Sequence, residues 1–242
     1  MSLSLFRFPT LSGRAWAFSQ MLFARFALPR VPGIGFYKLF GTGTGEGFTP
    51  IPNTAVYAVL ATWPSAAEAR ERIEQAAVFQ RYRKQASESW TVFLAATGAR
   101  GRWDRRMPFE TGPRPDNDCV RAGGPVVALT RATIRPSVLL RFWKRVPAIS
   151  SVIGADPHVV FKIGMGEVPW FHQVTFSIWP DEASMAAFAR SSGPHAEAIR
   201  AVRKENWFSE ELYARFRVLD DSGTWNGTRP LEAVQHPLTL AG

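Results

Sequence analysis

Apolar and polar positions along the chain switch between two periods, and the switches come in the same order twice. In the first half, residues 3–8 alternate like a strand and residues 12–26 repeat apolar side chains at helical spacing. Residues 35–48 read as a strand running into glycines, 55–63 alternate again, 64–89 read as one long helix and 90–99 as a strand. The second half gives a strand over 124–134 and a helix over 135–154, with Val138, Leu139, Phe142 and Val146 at helical spacing. Strands follow over 158–168 and 172–179, then a helix with one break over 180–208 and a last strand over 210–219. Each half is therefore β-α-β-β-α-β.

Landmarks recur with the repeat. Trp63-Pro64 matches Trp179-Pro180, Phe36-Tyr37-Lys38 before glycines matches Val160-Phe161-Lys162 before glycines, and Trp90 matches Trp207. The expected organisation is an N-terminal repeat over 1–100, a linker rich in Pro, Gly and charge over 101–124, a C-terminal repeat over 125–221 and a tail over 222–242. A split-βαβ unit is a ferredoxin-like layer whose sheet has one face covered by helices and one bare. Two such sheets bury their bare faces by packing on each other. The expected fold class is α+β, with two fused ferredoxin-like repeats forming an intrachain dimeric α+β barrel; the alternative is two domains side by side.

Composition narrows the chemistry. With 46% hydrophobic and 13% aromatic residues among 242, the chain has the material for a core. The single cysteine, Cys119, excludes an internal disulfide framework and any Cys-based zinc or iron–sulfur cage. The longest uncharged window, Gly47 to Ala67, carries three prolines and alternates like a strand, so it does not read as a transmembrane helix. The basic, aromatic N-terminal stretch lacks a continuous apolar segment and a small-residue cleavage site, and reads as mature protein.

Of the four histidines, His236 falls in a polar tail, His158 in a turn after Asp156-Pro157, and His172 at the start of a strand beside Trp170 and Phe171. His195 follows Gly193-Pro194, which places it in the first turn of a restarted helix. Ala198, Ile199 and Val202 then fall on its side of the helix, so it lies along an apolar stripe. It is either a hydrogen-bonded core residue or a ligand; the matching stretch of the first repeat has Val78-Phe79 instead. The GTGTGEG run from Gly41 lacks phosphate-loop spacing and reads as a hairpin loop between strands.

The formal charge is +9, from 29 Lys and Arg against 20 Asp and Glu, and it is unevenly spread. Residues 1–45 hold Arg7, Arg14, Arg25, Arg30 and Lys38 and no acid; residues 119–155 hold Arg121, Arg131, Arg135, Arg141, Lys144 and Arg145 and no acid. Interleaved aromatics make these stretches either solvated helix faces or contacts for anionic lipid. No nucleic-acid-binding motif accompanies them, and no nucleic-acid partner is expected.

The runs FSQMLFAR, GTGTGEGF, LTRATIRP, LRFWKRVPAISSVIGADP, FKIGMGE, HQVTFSIWPD and GPHAEAIRAVRKENWFSEELYARF closely resemble the spheroidene monooxygenases of purple bacteria. The resemblance spans nearly the whole chain. It implies a haem b monooxygenase that inserts a keto group at C-2 of an acyclic carotenoid by successive hydroxylations, using O2 and a reduced ferredoxin-type donor. By topology it makes His195 the proximal ligand of the haem iron, with Cys119 a lesser thiolate alternative; His172, from its place at a strand start beside Trp170 and Phe171, is the expected catalytic residue of the distal or substrate side. It also suits a cytoplasmic enzyme held peripherally on an inner or intracytoplasmic membrane. A haem- or carotenoid-binding barrel without turnover and a cofactor-free oxygenase of the same fold are the rival readings.

Overall fold

Strand β1 (Ser2–Arg7) carries hydrocarbon on both faces, Leu3 and Leu5 on one side and Phe6 on the other, because both faces are covered. The computed structural model describes residues 1–45, 49–111, 124–144, 158–190 and 206–235. After β1 come α1 (Leu11–Ala27), β2 (Tyr37–Gly43), β3 (Pro52–Ala61), α2 (Ala66–Gln75), α3 (Ala77–Gln85) and β4 (Glu88–Gly101). The second repeat supplies β5 (Val126–Ile134), β6 (Phe161–Gly166), β7 (His172–Trp179), α4 (Glu182–Arg190) and β8 (Phe208–Gly223).

The eight strands close into an antiparallel barrel in the order β1-β3-β2-β6-β7-β5-β8-β4. Within each repeat the strands lie 4-1-3-2, the split-βαβ arrangement, and the two sheets join along two seams. Gly41 faces Gly166 on the β2–β6 seam, and the longer β4–β8 seam runs from Trp90 opposite Gly223 to Gly101 opposite Leu212. The expected fused α+β barrel is the observed fold. Its interior is mainly apolar, with Phe40, Trp90, Phe176 and Phe216 among the fully buried side chains.

The registers of the two repeats correspond, strand for strand. Leu5 faces Ala58 and Trp90 in the first repeat as Arg131 faces Val174 and Leu212 in the second. This correspondence corrects two of the sequence landmarks. Trp90 stands at the place of Leu212, inside the barrel, whereas Trp207 precedes β8 and packs outside with Ile134 and Val138. Lys38 stands at the place of Ile163, not Lys162, and a one-residue slip in a strand moves a side chain to the opposite face. The Trp63 and Trp179 match holds, since Ala61 and Ser177 occupy corresponding positions two residues earlier.

Helices cover the outer face of the first sheet, burying Phe6, Phe8, Tyr57, Trp63, Phe79 and Tyr82 together. The single long helix expected over 64–89 is two, because Ala76 adopts an extended conformation between α2 and α3. Arg83 covers the break, donating to the Ile73 and Glu74 carbonyls at 2.7 Å each, which are the helix-end acceptors that would otherwise lack partners. On the second sheet, Met185 and Phe188 of α4 pack with Trp179. The rest of the helices expected over 135–154 and 180–208 falls largely outside the described residues. Among the described residues, no helix is long and apolar enough to cross a membrane.

Candidate functional site

Beyond β4 and β8 the chain makes the same turn twice. Gly101 and Gly223 have φ of 94° and 87°, and the two-residue turns Asp104-Arg105 and Asn226-Gly227 are also left-handed. Trp103 pairs across its turn with Arg106, and Trp225 with Thr228. A Cβ on Gly101 would stand 2.2 Å from the Glu211 carbonyl oxygen, and one on Gly223 2.1 Å from that of Ser89, so only glycine fits either place. Each turn folds an indole over one mouth of the barrel. Both indoles belong to the interior cluster, although Trp103 lies in the stretch whose composition reads as linker and Trp225 in the stretch read as tail. The GxW pattern before a tight turn was the available signal.

At the Trp103 mouth, charged groups gather under the indole. Arg131 projects inward from β5, only 2% exposed, and its guanidinium bonds the Glu210 carboxylate. Glu210 also accepts from the backbone N–H of Arg105 at 2.7 Å and of Asp104 at 3.1 Å. Lys38 lies 2.6 Å from Glu167 and pairs with Asp104, while the Trp103 Nε1–H donates to Glu167 at 2.7 Å. The Lys38 and Arg131 cations stand 5.9 and 5.8 Å from the Trp103 ring centre. Burial raises the Glu210 carboxyl, but the Arg105 N–H and Arg131 outweigh it, and the net direction is below the ordinary carboxylate value.

His172 opens β7 on the inward face, in line with Val174, Phe176 and Ile178, and next to this cluster. Its Nδ1 is buried without a hydrogen-bond partner. Burial lowers its pKa below the ordinary imidazole value; Arg131 and Lys38 push the same way and Glu167 and Asp104 oppose them. The imidazole is thus held toward its neutral form.

The opposite mouth shows what this cluster replaces. By register, Leu5 stands where Arg131 is, Ile163 where Lys38 is and Val56 where His172 is; Thr42, next after the paired glycines, takes the place of Glu167. Only the turn-binding glutamate is kept: Glu88 accepts from Gly227 N–H at 2.7 Å and from Arg7 at 3.1 Å. Four hydrocarbon or neutral positions at one mouth are charged or titratable at the other. The polar mouth is the specialised one.

The second sheet also differs on its helix-facing side. Where the first sheet turns Phe6, Leu39, Tyr57 and Val59 outward, the second has Ala132, Gly164, Gln173 and Thr175. Bulk is missing from the centre of this face, and Lys162 and Arg215 project from the same side.

His195, Cys119 and His236 lie outside the described residues, so of the site residues expected from sequence only His172 is located here. Among the described residues, no group of three or more His, Cys, Asp or Glu side chains could hold a metal ion. The basic stretches prove mixed. Arg7, Lys38 and Arg131 turn into the barrel mouths and pair with carboxylates, whereas Arg14, Arg25 and Arg30 accompany α1. GTGTGEG begins a strand-to-strand connection, with Thr44 N–H donating to the Ile51 carbonyl.

Register, closure and the paired indole turns make this a dimeric α+β barrel whose two halves are fused in one chain. A crystal structure of an aldoxime dehydratase shares the fold at a TM-score of 0.60, with 10% identity, covering 90% of this chain and 80% of that one. A second, in complex with butyraldoxime, scores 0.55 and covers 97% and 84%. Sequence goes further: the chain belongs to the spheroidene monooxygenase family and is an oxidoreductase. It is 50% identical to the spheroidene monooxygenase of Cereibacter sphaeroides, over 96% of this chain and 70% of that protein. It is likewise 50% identical to that of Rhodobacter capsulatus, over 95% and 94%, and 34% identical to that of Rubrivivax gelatinosus, over 90% and 82%. No protein-family model matches the chain.

Proposed function

We propose that the protein is a haem-dependent monooxygenase that installs a keto group at C-2 of an acyclic carotenoid. The observation that carries this is the 50% identity to two spheroidene monooxygenases over nearly the whole chain. Each of two hydroxylations at one carbon consumes one O2, two protons and two electrons from a ferredoxin-type donor, and releases one water. The resulting geminal diol loses water to give the ketone. Bound haem supplies the oxidising chemistry of each hydroxylation.

The fit of the cofactor rests on the helix-facing side of the second sheet. Ala132, Gly164 and Thr175 are smaller than the Phe6, Leu39 and Val59 at the corresponding places of the first repeat, which suits a flat apolar group on this face. Lys162 and Arg215, from the same face, suit carboxylates such as the haem propionates. His195 is the proposed proximal ligand, carried over by topology from its place in the helix expected from sequence over 180–208, and it lies outside the described residues. His172 belongs to the other face of the sheet. We assign it to the reaction through its neutral imidazole and unpartnered Nδ1, which can hold a proton or a polar group within the charged mouth. Peripheral contact with an anionic membrane, on the cytoplasmic side, is part of the proposal because the substrate dissolves in lipid.

Purified protein should show a Soret band with about one haem per chain, in the stoichiometry of a dedicated site. Turnover should require both O2 and a reductant and should yield the ketone. Colourless protein with full turnover would replace this reading with a cofactor-free oxygenase, and haem without any oxygen-dependent product would make it a binder.

A further inference from the structure

Helix α1 is amphipathic the wrong way round for a helix that meets only water on its outer side. It rests on the sheet through Gly13, Ala17 and Ala24, all buried. One hundred degrees per residue puts Leu11, Ala15, Phe18, Leu22 and Phe26 directly opposite that contact. Leu11 is 81% exposed, Phe18 71%, Leu22 57% and Phe26 62%, with Phe23 exposed beside them. The small side chains face the protein and the large apolar ones face away.

We propose that this outer face of α1 is a membrane-insertion surface, lying in the headgroup region of an anionic bilayer with its apolar stripe among the acyl chains. Charge selects this occupant. Arg14 and Arg25 border the stripe, Arg30 follows the helix, and no acid occurs in residues 1–45. A cationic edge along large apolar side chains matches anionic headgroups above acyl chains. A second copy of this chain would set the same arginines near one another across a two-fold interface, in a protein of formal charge +9. The inference rests on the proposed lipid-soluble substrate only for its purpose; the geometry of α1 stands without it.

The test is co-sedimentation of full-length protein with phosphatidylcholine vesicles, with and without phosphatidylglycerol, in the absence of any carotenoid. Wild-type protein should bind the anionic vesicles and release in salt, since screening shortens the reach of these contacts. Phe18→Glu with Leu22→Glu should lower the bound fraction at least about tenfold, because charge on the inserting face opposes burial in the bilayer. Arg14→Gln with Arg25→Gln should remove the preference for phosphatidylglycerol while leaving weaker binding. Phe18, Leu22 and Arg25 are exposed, whereas Arg14 is half-buried and donates to the Phe8 carbonyl at 3.3 Å, so the melting curve of Phe18→Glu/Leu22→Glu should match wild type and that of Arg14→Gln/Arg25→Gln should shift only slightly. Wild-type protein that ignores both vesicle types, or a Phe18→Glu/Leu22→Glu variant that still binds, overturns the proposal. A wild-type dimer that this variant dissociates, without vesicle binding, assigns the face to a second copy and also overturns it. Failure of the monooxygenase reading would appear separately, as vesicle binding without turnover.

Discussion

Trp103 and Trp225 occupy corresponding places at the two mouths of the barrel, each two residues past a left-handed glycine and each with a cation against its ring. Arg7 stands 4.5 Å from the centre of the Trp225 ring, and Arg131 5.8 Å from that of Trp103. The two ends are built alike but loaded differently, and the difference points to the Trp103 mouth. Trp103 packs against Phe36, Phe40 and Phe109 and holds Glu167 through its indole N–H. Trp103→Ala should destabilise the protein by about 3–5 kcal/mol in urea unfolding, the usual cost of emptying a buried aromatic site. Trp103→Phe should recover part of that loss, because it refills most of the space but leaves Glu167 without the indole donor.

The glycines before the two indoles should tolerate no side chain. Gly101→Ala and Gly223→Ala each combine a positive φ with a collision against a backbone carbonyl, and each should cost at least about 1–3 kcal/mol. Gly98→Ala is the control, since a Cβ there meets nothing within 4 Å and its φ is not left-handed. Its melting temperature should match wild type. Equal effects at all three positions would mean that general strand propensity, not turn geometry, decides.

Arg131 is a buried cation held by carboxylates at a place where the other mouth has Leu5. Arg131→Leu should therefore destabilise by about 1–3 kcal/mol, because the half-buried Glu210 is left without its cation. Adding Glu210→Gln should return part of the stability by removing the stranded charge. A double variant no more stable than Arg131→Leu alone would show that Arg131 acts through packing under Trp103 instead.

Two groups of the charged mouth add to an acid-sensitive stability that Glu88 and Asp181, also lowered, share in the carboxylate range. Glu210 titrates lower in the folded state than its ordinary value of 4.5, so the unfolded chain binds more protons between the two values. Its contribution is complete above 4.5 and is lost as pH falls through the folded pKa. His172, lowered from 6.5, acts in the same direction in a higher window, because its folded form resists protonation. Stability should thus fall with pH in two stages, below about 6.5 and again below about 4.5. His172→Gln should flatten the first stage and leave the second; an unchanged first stage would assign it elsewhere.

The repeat was legible in the sequence because period-2 and period-3.6 patterns change over in the same order in both halves, and strands of a closed barrel keep that alternation. The charged mouth was not legible. Arg131 and Lys38 sit in strands at inward positions, where alternation calls for hydrocarbon, and their partners Glu167, Asp104 and Glu210 come from turns and another strand. A linear scan for basic stretches placed both cations on a surface, since pairing at a distance leaves no trace in local composition. Likewise, Trp103 and Trp225 sit among Gly, Arg, Asn and Thr, and composition reads them as linker and tail. The match of Trp90 with Trp207 failed because equivalence in a barrel follows strand register, which the distance from a preceding helix does not determine.

The final expectation separates the two histidines. His195 is proposed to hold the haem iron, so His195→Ala should lower haem occupancy or shift the Soret band, and turnover should fall by orders of magnitude. Added imidazole should refill the vacancy and restore part of the spectrum, a response that a structural histidine would not give. The helix expected from sequence around His195 tolerates Ala, so the circular dichroism spectrum should be retained. His172→Ala should leave the Soret band in place, because His172 projects into the barrel mouth, on the face of β7 opposite Thr175. It should lower turnover and change its pH profile near the ordinary imidazole range, since the neutral ring beside Arg131 and Lys38 is removed. If His172→Ala abolished haem binding while His195→Ala kept an unchanged spectrum, the cofactor would belong in the charged mouth. The small-residue face of the second sheet would then be free for the carotenoid.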